Sequence, residues 1–305
     1  MRLVALAVLC AGFAPAANEI VAGVRAAVAH GDFAGAEAAL HDYRARQGAT
    51  PAWLEAYSWM ARGALAAKSF DQAERYAEET RKIALQMLKG RALNAEKHLP
   101  TALGAAIEVH AQVLDARGER GEAVAFLREQ LERYRGSTMH IRIQKNLNLL
   151  SLEGKPAPPL EMSRWVGARP QPLQALAGRP VLIFFWAHFC GPCKAEAPVL
   201  AKLRDRYASQ GLTLVAPTWL YGYVAGGKDA GPEEETRYIA EVWRRDFAAL
   251  GNVPAPLSEE NFRTYGASTT PTLILLDRTG IVRLYHPGPL PYEALAARLD
   301  AVLAR

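Results

Sequence analysis

Over residues 18–152 apolar positions recur every three or four residues, and no stretch alternates apolar with polar. That spacing puts the apolar side chains on one face of a helix. Ala, Leu, Glu, Arg and Gln dominate and prolines are few, a composition that suits helix interiors. The region is predicted to be all helical. Beyond residue 159 the pattern changes. Apolar runs at Pro180–Ala187, Leu212–Ala216 and Thr270–Leu276 are short enough to be buried strands. Leu160–Val166 reads as a first strand, and Ile281–Tyr285 as a last one reached through the turn Asp277-Arg-Thr-Gly280. Helical patterns cover 191–209, 232–250 and 292–303, and Glu233 to Glu235 give the second of these an acidic first turn. Strands interleaved with helices predict an α/β domain.

The two patterns meet at Glu153-Gly-Lys-Pro-Ala-Pro-Pro159, where three prolines in four residues cannot continue a helix. Three short signatures recur in the helical part: Gly31-Asp-Phe33-Ala-Gly-Ala36, Lys68-Ser-Phe70-Asp-Gln-Ala73 and Gly118-Glu-Arg120-Gly-Glu-Ala123. In each, a turn residue is followed by a bulky residue two on and a small Ala three further. This resembles a tetratricopeptide-type hairpin, in which the Ala lets paired helices approach closely. The first two signatures start 37 residues apart (31 to 68), near the usual period of about 34, whereas the third starts 50 later (118). An irregular helical bundle is the alternative. Either arrangement commonly presents a binding face.

The N-terminus begins Met1-Arg2, continues with an apolar Leu3–Phe13 and ends in Ala14-Pro-Ala-Ala17. This is the layout of a secretory signal, with cleavage expected near Ala16 or Ala17. Its apolar run is too short for an ordinary membrane span. Lipidation at Cys10 is a weaker alternative, because Leu9 stands where a small residue is wanted. The expected organisation is a signal peptide at 1–17, a TPR-like helical domain at 18–152, a Pro-rich linker at 153–159 and an α/β domain at 160–305. A length of 305 residues agrees with two domains. The formal net charge is +5, but the arginines are scattered and form no basic tract, which argues against nucleic-acid binding.

Of three cysteines, Cys10 falls in the signal, which leaves Cys190 and Cys193. A domain this large needs no disulfide for stability, so the pair is assigned to chemistry or to a metal. In Trp186-Ala-His-Phe-Cys190-Gly-Pro-Cys193 it follows a buried strand and opens a helix. The free N–H groups and dipole of a helix N-terminus favour a thiolate there, and a second cysteine one turn on is close enough to form a disulfide. A zinc site wants four ligands; His188 offers a third and no fourth is evident.

Residues 154–305 resemble the thioredoxin superfamily, and most of all its exported TlpA/ResA-like branch. The resemblance rests on the apolar strand ending in Trp186-Ala, on Cys190-Gly-Pro-Cys193, on Glu196-Ala-Pro198, on Thr270-Pro271-Thr272 and on the Gly154–Pro158 linker. It implies a thioredoxin-like fold, a central mixed sheet flanked by helices. It further implies Cys190 as the attacking thiol, Cys193 as the resolving thiol, Pro271 as a cis-proline facing them, and Thr270 as a strand-like partner for an incoming peptide. Gly191 and Pro192 would set the loop, and Trp186 would pack beside it, all three within the substrate-binding region. Many thioredoxins bury an Asp six residues before the first cysteine; here that position is Phe184. Glu196 lies one helical turn from Cys193 and matches a functional Glu of the branch, so it is expected to be the base or proton relay. A surface carboxylate is the plainer alternative. A charged His188 would lower the Cys190 pKa; a neutral one is a loop residue. Lys194 reads as a solvated helix residue. Trp219, Tyr221 and Tyr223 either line a substrate groove or cover the sheet.

These readings predict an exported thiol–disulfide oxidoreductase of the bacterial periplasm or cell envelope. It would reduce disulfide-bearing client proteins, take electrons from another protein, need no cofactor beyond the Cys190–Cys193 disulfide, and meet a membrane only through an uncleaved signal. The rival is a non-catalytic interaction module working through the helical repeats. A peroxidase is disfavoured, because His188-Phe189-Cys190 replaces the expected Thr-x-x-Cys.

Overall fold

The computed structural model describes residues 17–304. The signal peptide and Cys10 fall at residues outside those described, apart from Ala17. Among the described residues no helix is long and apolar enough to cross a membrane. The chain forms two compact units, divided between Glu119 and Arg120.

The first unit contains α1 (Ala17–Ala29), α2 (Phe33–Gln47), α3 (Pro51–Ala66), α4 (Phe70–Met87) and α5 (His98–Ala116). The recurring signatures fall between successive helices: Gly31, Lys68 and Gly118 all have positive φ, and Ala36, Ala73 and Ala123 are fully buried. Small residues set the spacing of the helices. Ala61, Ala64, Ala73, Ala77 and Ala106 share one buried cluster. At Gly63 an added Cβ would lie 2.3 Å from Val28 Cγ1, so α1 passes α3 at a distance only glycine permits.

The second unit runs in the order α6 (Arg120–Arg133), α7 (His140–Ser151), β1 (Trp165–Val166), β2 (Val181–Phe185), α8 (Gly191–Arg206), β3 (Thr213–Val215), α9 (Pro232–Asp246), β4 (Ala255–Pro256), α10 (Glu259–Tyr265), β5 (Thr272–Leu276), β6 (Val282–Pro287) and α11 (Tyr292–Leu303). The main sheet has the order β3-β2-β5-β6; β2 and β3 are parallel, and the other two pairings are antiparallel. This is the thioredoxin-like mixed sheet. Side chains alternate across it. Leu182 and Phe184 enter a core with α8, α9 and α11, while Val181, Ile183 and Phe185 enter one with Phe262 and Tyr265 of α10. All five residues of β2 are buried, which is why its sequence reads as a continuous apolar run.

The sheet-bearing unit begins before the helical pattern ends. The sequence boundary at 152 marks where helix gives way to strand, but by packing α6 and α7 belong with the sheet. The second core includes Leu152 and has Ile141 of α7 against it. The Arg263 guanidinium donates to the Arg135 carbonyl at 2.8 Å. The Pro-rich 153–159 stretch is not a free tether either. Gly154 N–H donates to Val282 O at 2.8 Å, Val282 N–H to Lys155 O at 2.9 Å and Ala157 N–H to Gly280 O at 3.0 Å. Prolines fit such an edge, where a missing N–H leaves no ladder partner unmet. The first strand is also shorter than expected: only Trp165–Val166 pairs, with β4.

Candidate active site

The end of β2 and the start of β5 are neighbours, because Phe185 pairs with Thr272. The residues just beyond, Trp186 and Pro271, therefore lie at the same end of the sheet, and α8 starts there five residues after Trp186. The Thr270–Pro271 bond is cis. The Pro271 carbonyl accepts the Gly288 N–H at 2.8 Å, which ties this turn to the segment following β6.

Cys190 and Cys193 are joined by a disulfide, with their Cα atoms 5.2 Å apart. Cys190 is the N-cap of α8, and its Sγ accepts the Cys193 N–H at 3.1 Å. A sulfur at this position is met by N–H groups at the positive end of the helix dipole. Cys190 is 5% exposed and Cys193 is sealed at 0%. Gly191 and Pro192 are exposed between them, with Pro192 in the first helical turn, where its missing N–H costs nothing.

Trp186 is fully buried, so it does not touch a client. It supports the loop from beneath: its Nε1 donates to Ala216 O at 2.9 Å, and its ring lies 4.5 Å from that of Phe247 and 5.0 Å from that of Trp243. Phe184, at the position where an Asp was considered, is an apolar core residue and carries no proton.

Glu196 is buried on α8, and its Oε1 accepts the Leu290 N–H at 3.3 Å. Burial raises its pKa, and the Leu290 hydrogen bond only partly opposes this. It is therefore not a surface carboxylate. Lys194 is half-buried rather than solvated, with Nζ 2.6 Å from Asp246 of α9.

The aromatic segment partly covers the sheet and partly lines a cavity. Trp219 packs on Phe262, with centroids 6.1 Å apart, and so covers the sheet. Tyr221 and Tyr223 stand 4.8 Å and 5.5 Å from the ring of Phe189, which is itself 51% exposed beside Cys190. Phe189, Tyr221, Trp219 and Thr270 line one cavity of about 310 Å³, together with Ile141 and Arg142 of α7. Two features of this region escaped the sequence reading. Glu235 is fully buried, although its place in an acidic first turn suggested only a helix start. The wall from α7 carried no motif.

The Redoxin family matches residues 152–303. The chain is 28% identical over 148 residues to "Thioredoxin-like protein YneN" of Bacillus subtilis, covering 48% of this chain and 79% of that protein. It is 24% identical over 149 residues to "Thiol-disulfide oxidoreductase ResA" of Geobacillus thermodenitrificans, covering 49% and 77%. It is 29% identical over 133 residues to "Thiol:disulfide interchange protein DsbE" of Xylella fastidiosa, covering 42% and 57%. With its mixed sheet, its Cys190–Cys193 disulfide and these relatives, the chain is a thiol–disulfide oxidoreductase of the TlpA/ResA-like branch of the thioredoxin superfamily, that part being its second half.

Proposed function

We propose that the protein is exported and reduces disulfides of client proteins through Cys190 and Cys193. The observation that carries this reading is the pairing of the two sulfurs at the N-terminus of α8, with the only exposure at Cys190. In the reduced enzyme the Cys190 thiolate attacks one sulfur of a client disulfide. That S–S bond breaks, the first client sulfur leaves as a thiolate, and a Cys190–client mixed disulfide forms. Cys193 then gives its proton to Glu196 and attacks Cys190 Sγ. The second client sulfur leaves with the electron pair and takes up a proton. Two electrons have moved to the client, and the Cys190–Cys193 disulfide has formed. A dithiol protein resets it. No cofactor beyond the disulfide is needed.

Thr270, half-exposed before the cis bond, offers backbone to an extended client segment. The apolar signal-like start at Met1–Ala17 supports export to the bacterial envelope. The helical hairpins at residues 17–116, with their TPR-like turns, supply a surface for choosing clients. Reduction of insulin disulfides by the full chain, followed as turbidity, tests the core of the reading; an inactive protein whose helical unit still binds partners would favour the interaction-module alternative.

Glu196 gives a pH test. Its raised pKa means that it stays protonated to higher pH than an exposed Glu, and a protonated carboxyl cannot accept from Cys193. Resolution of the mixed disulfide therefore speeds up as pH rises through the Glu196 titration. Glu196→Gln is expected to slow resolution roughly a hundredfold and to flatten that limb of the profile. Stopped-flow quenching with a disulfide peptide measures both. An unchanged limb assigns the proton to another acceptor.

A further inference from the structure

One buried pair, formed by a residue two positions before Cys190 and one from α9, takes no part in the exchange just described. His188 is 2% exposed and Glu235 is 1% exposed, with Nε2 and Oε1 3.3 Å apart. Nε2 makes no aligned hydrogen bond across this contact. The Glu235 carboxylate is held from its other side: Oε1 accepts the Tyr221 N–H at 2.6 Å and Oε2 accepts the Gly222 N–H at 2.8 Å. Burying a carboxylate is unfavourable unless hydrogen bonds replace its water, and two backbone donors do so here. The imidazole is caged by rings. Phe189, Tyr221, Tyr223 and Tyr238 all meet it edge-on, with centroids between 5.1 and 5.6 Å away.

We infer that Glu235 is a positioning residue for the dithiol: it ties the Tyr221–Gly222 loop against the turn that leads to Cys190, and the carboxylate it places there disfavours the Cys190 thiolate and so keeps the pair reducing. The inference deepens the reductase reading and rests on it. The turn itself is short. Cys190 N–H donates to the Ala187 carbonyl at 3.0 Å, enclosing His188 and Phe189, so whatever holds His188 holds the approach to Cys190.

The charge of the pair follows from its surroundings. Desolvation lowers the His188 pKa, and the attraction of Glu235 opposes this only in part. The imidazole is therefore neutral near pH 7. The groups facing His188 are Glu235 and Tyr238 from α9, Tyr221 and Tyr223 from the loop, and Lys194 from α8. The two loop phenols stay protonated, since burial raises their pKa. The Lys194 ammonium is 2.6 Å from Asp246, which offsets part of its charge. The Glu235 carboxylate, held by two backbone N–H donors and in contact with a residue two positions before Cys190, is thus the acidic group set against this turn. A like charge raises an acid's pKa, and a dithiol whose thiolate is less stable gives up its electrons more readily.

The test uses the full reduced chain as wild type, Glu235→Gln and His188→Gln. Alkylation of Cys190 by iodoacetamide is followed against pH, the dithiol is equilibrated with glutathione buffers, and thermal unfolding is recorded alongside. For Glu235→Gln the Cys190 titration moves to lower pH, the thiolate fraction at neutral pH rises by a factor of about 3 to 10, and the reduced fraction in a given glutathione buffer increases. His188→Gln leaves the carboxylate in place and keeps the wild-type titration. A Glu235→Gln protein that melts earlier but titrates like wild type overturns the inference, as does an upward shift in either variant. Insulin reduction by the wild type is read separately. If the wild type is inactive, the reductase reading itself falls; if it is active and the titrations coincide, only the role of Glu235 does.

Discussion

Cys190→Ser is expected to reduce insulin no faster than the spontaneous reaction, and Cys193→Ser is expected to stop half-way, as a stable one-to-one adduct with its client. The asymmetry follows from burial and from the helix. Cys193 is sealed at 0% exposure, so no client sulfur reaches it. Cys190 caps α8, where its sulfur accepts the Cys193 N–H, so the thiolate that attacks forms there. A serine hydroxyl at 190 does not ionise in the working pH range and is not a nucleophile toward sulfur. With Ser at 193 the first attack still occurs, but no thiolate stands behind Cys190 to break the mixed disulfide. Non-reducing electrophoresis and mass spectrometry of the Cys193→Ser protein, incubated with an oxidised peptide, read the adduct directly. Adduct formation by Cys190→Ser instead would reverse the two roles.

Much of this site is legible in the chain because its parts are local. A buried strand, two cysteines one turn apart and a Gly-Pro between them lie in one unbroken stretch from Val181 to Cys193, and the helix beginning at Gly191 follows from the proline in its first turn. The closing helix Tyr292–Leu303 has the bounds its periodicity gives. What the chain hides depends on distance. Glu235 is 45 residues from Cys190 (235 against 190), and nothing near it in sequence says that its carboxylate turns inward onto the loop at Tyr221. Trp186 reads as an active-site aromatic because of its neighbours, yet the rings of Trp243 and Phe247 bury it. The short helix Glu259–Tyr265 is bracketed by Ser258, two glutamates and Gly266 as cap, first turn and stop, but its 7 residues are too few for a periodic pattern to show. The attachment of α7 to the sheet unit leaves no local trace, because a helix amphipathic toward other helices looks the same as one amphipathic toward α10.

That attachment predicts a large loss of stability from one methyl group. Gly266 ends α10 with φ +61°, and a Cβ there would lie 2.3 Å from Lys145 N and 2.6 Å from Gln144 C, both backbone atoms of α7. An L-residue in this conformation costs roughly 1–2 kcal/mol by itself. Backbone cannot rotate away as a side chain tip does, so α7 must also shift, adding about 1–3 kcal/mol of overpacking. Gly266→Ala is therefore expected to lower stability by roughly 2–5 kcal/mol in urea unfolding. Gly280→Ala is the control: its φ is +79°, yet nothing lies within 4 Å of an added Cβ, so it bears only the conformational cost. The difference between the two isolates the seat of α7. It also reaches the site, because Ile141 and Arg142 of α7 wall the cavity that Phe189 and Thr270 share. A displaced α7 removes that wall while leaving the sulfurs in place, so Gly266→Ala raises KM for a protein client more than it lowers kcat. Equal losses of stability in Gly266→Ala and Gly280→Ala would mean that α7 does not rest on α10, and that the helical pattern ending at residue 152 marks the packing boundary after all.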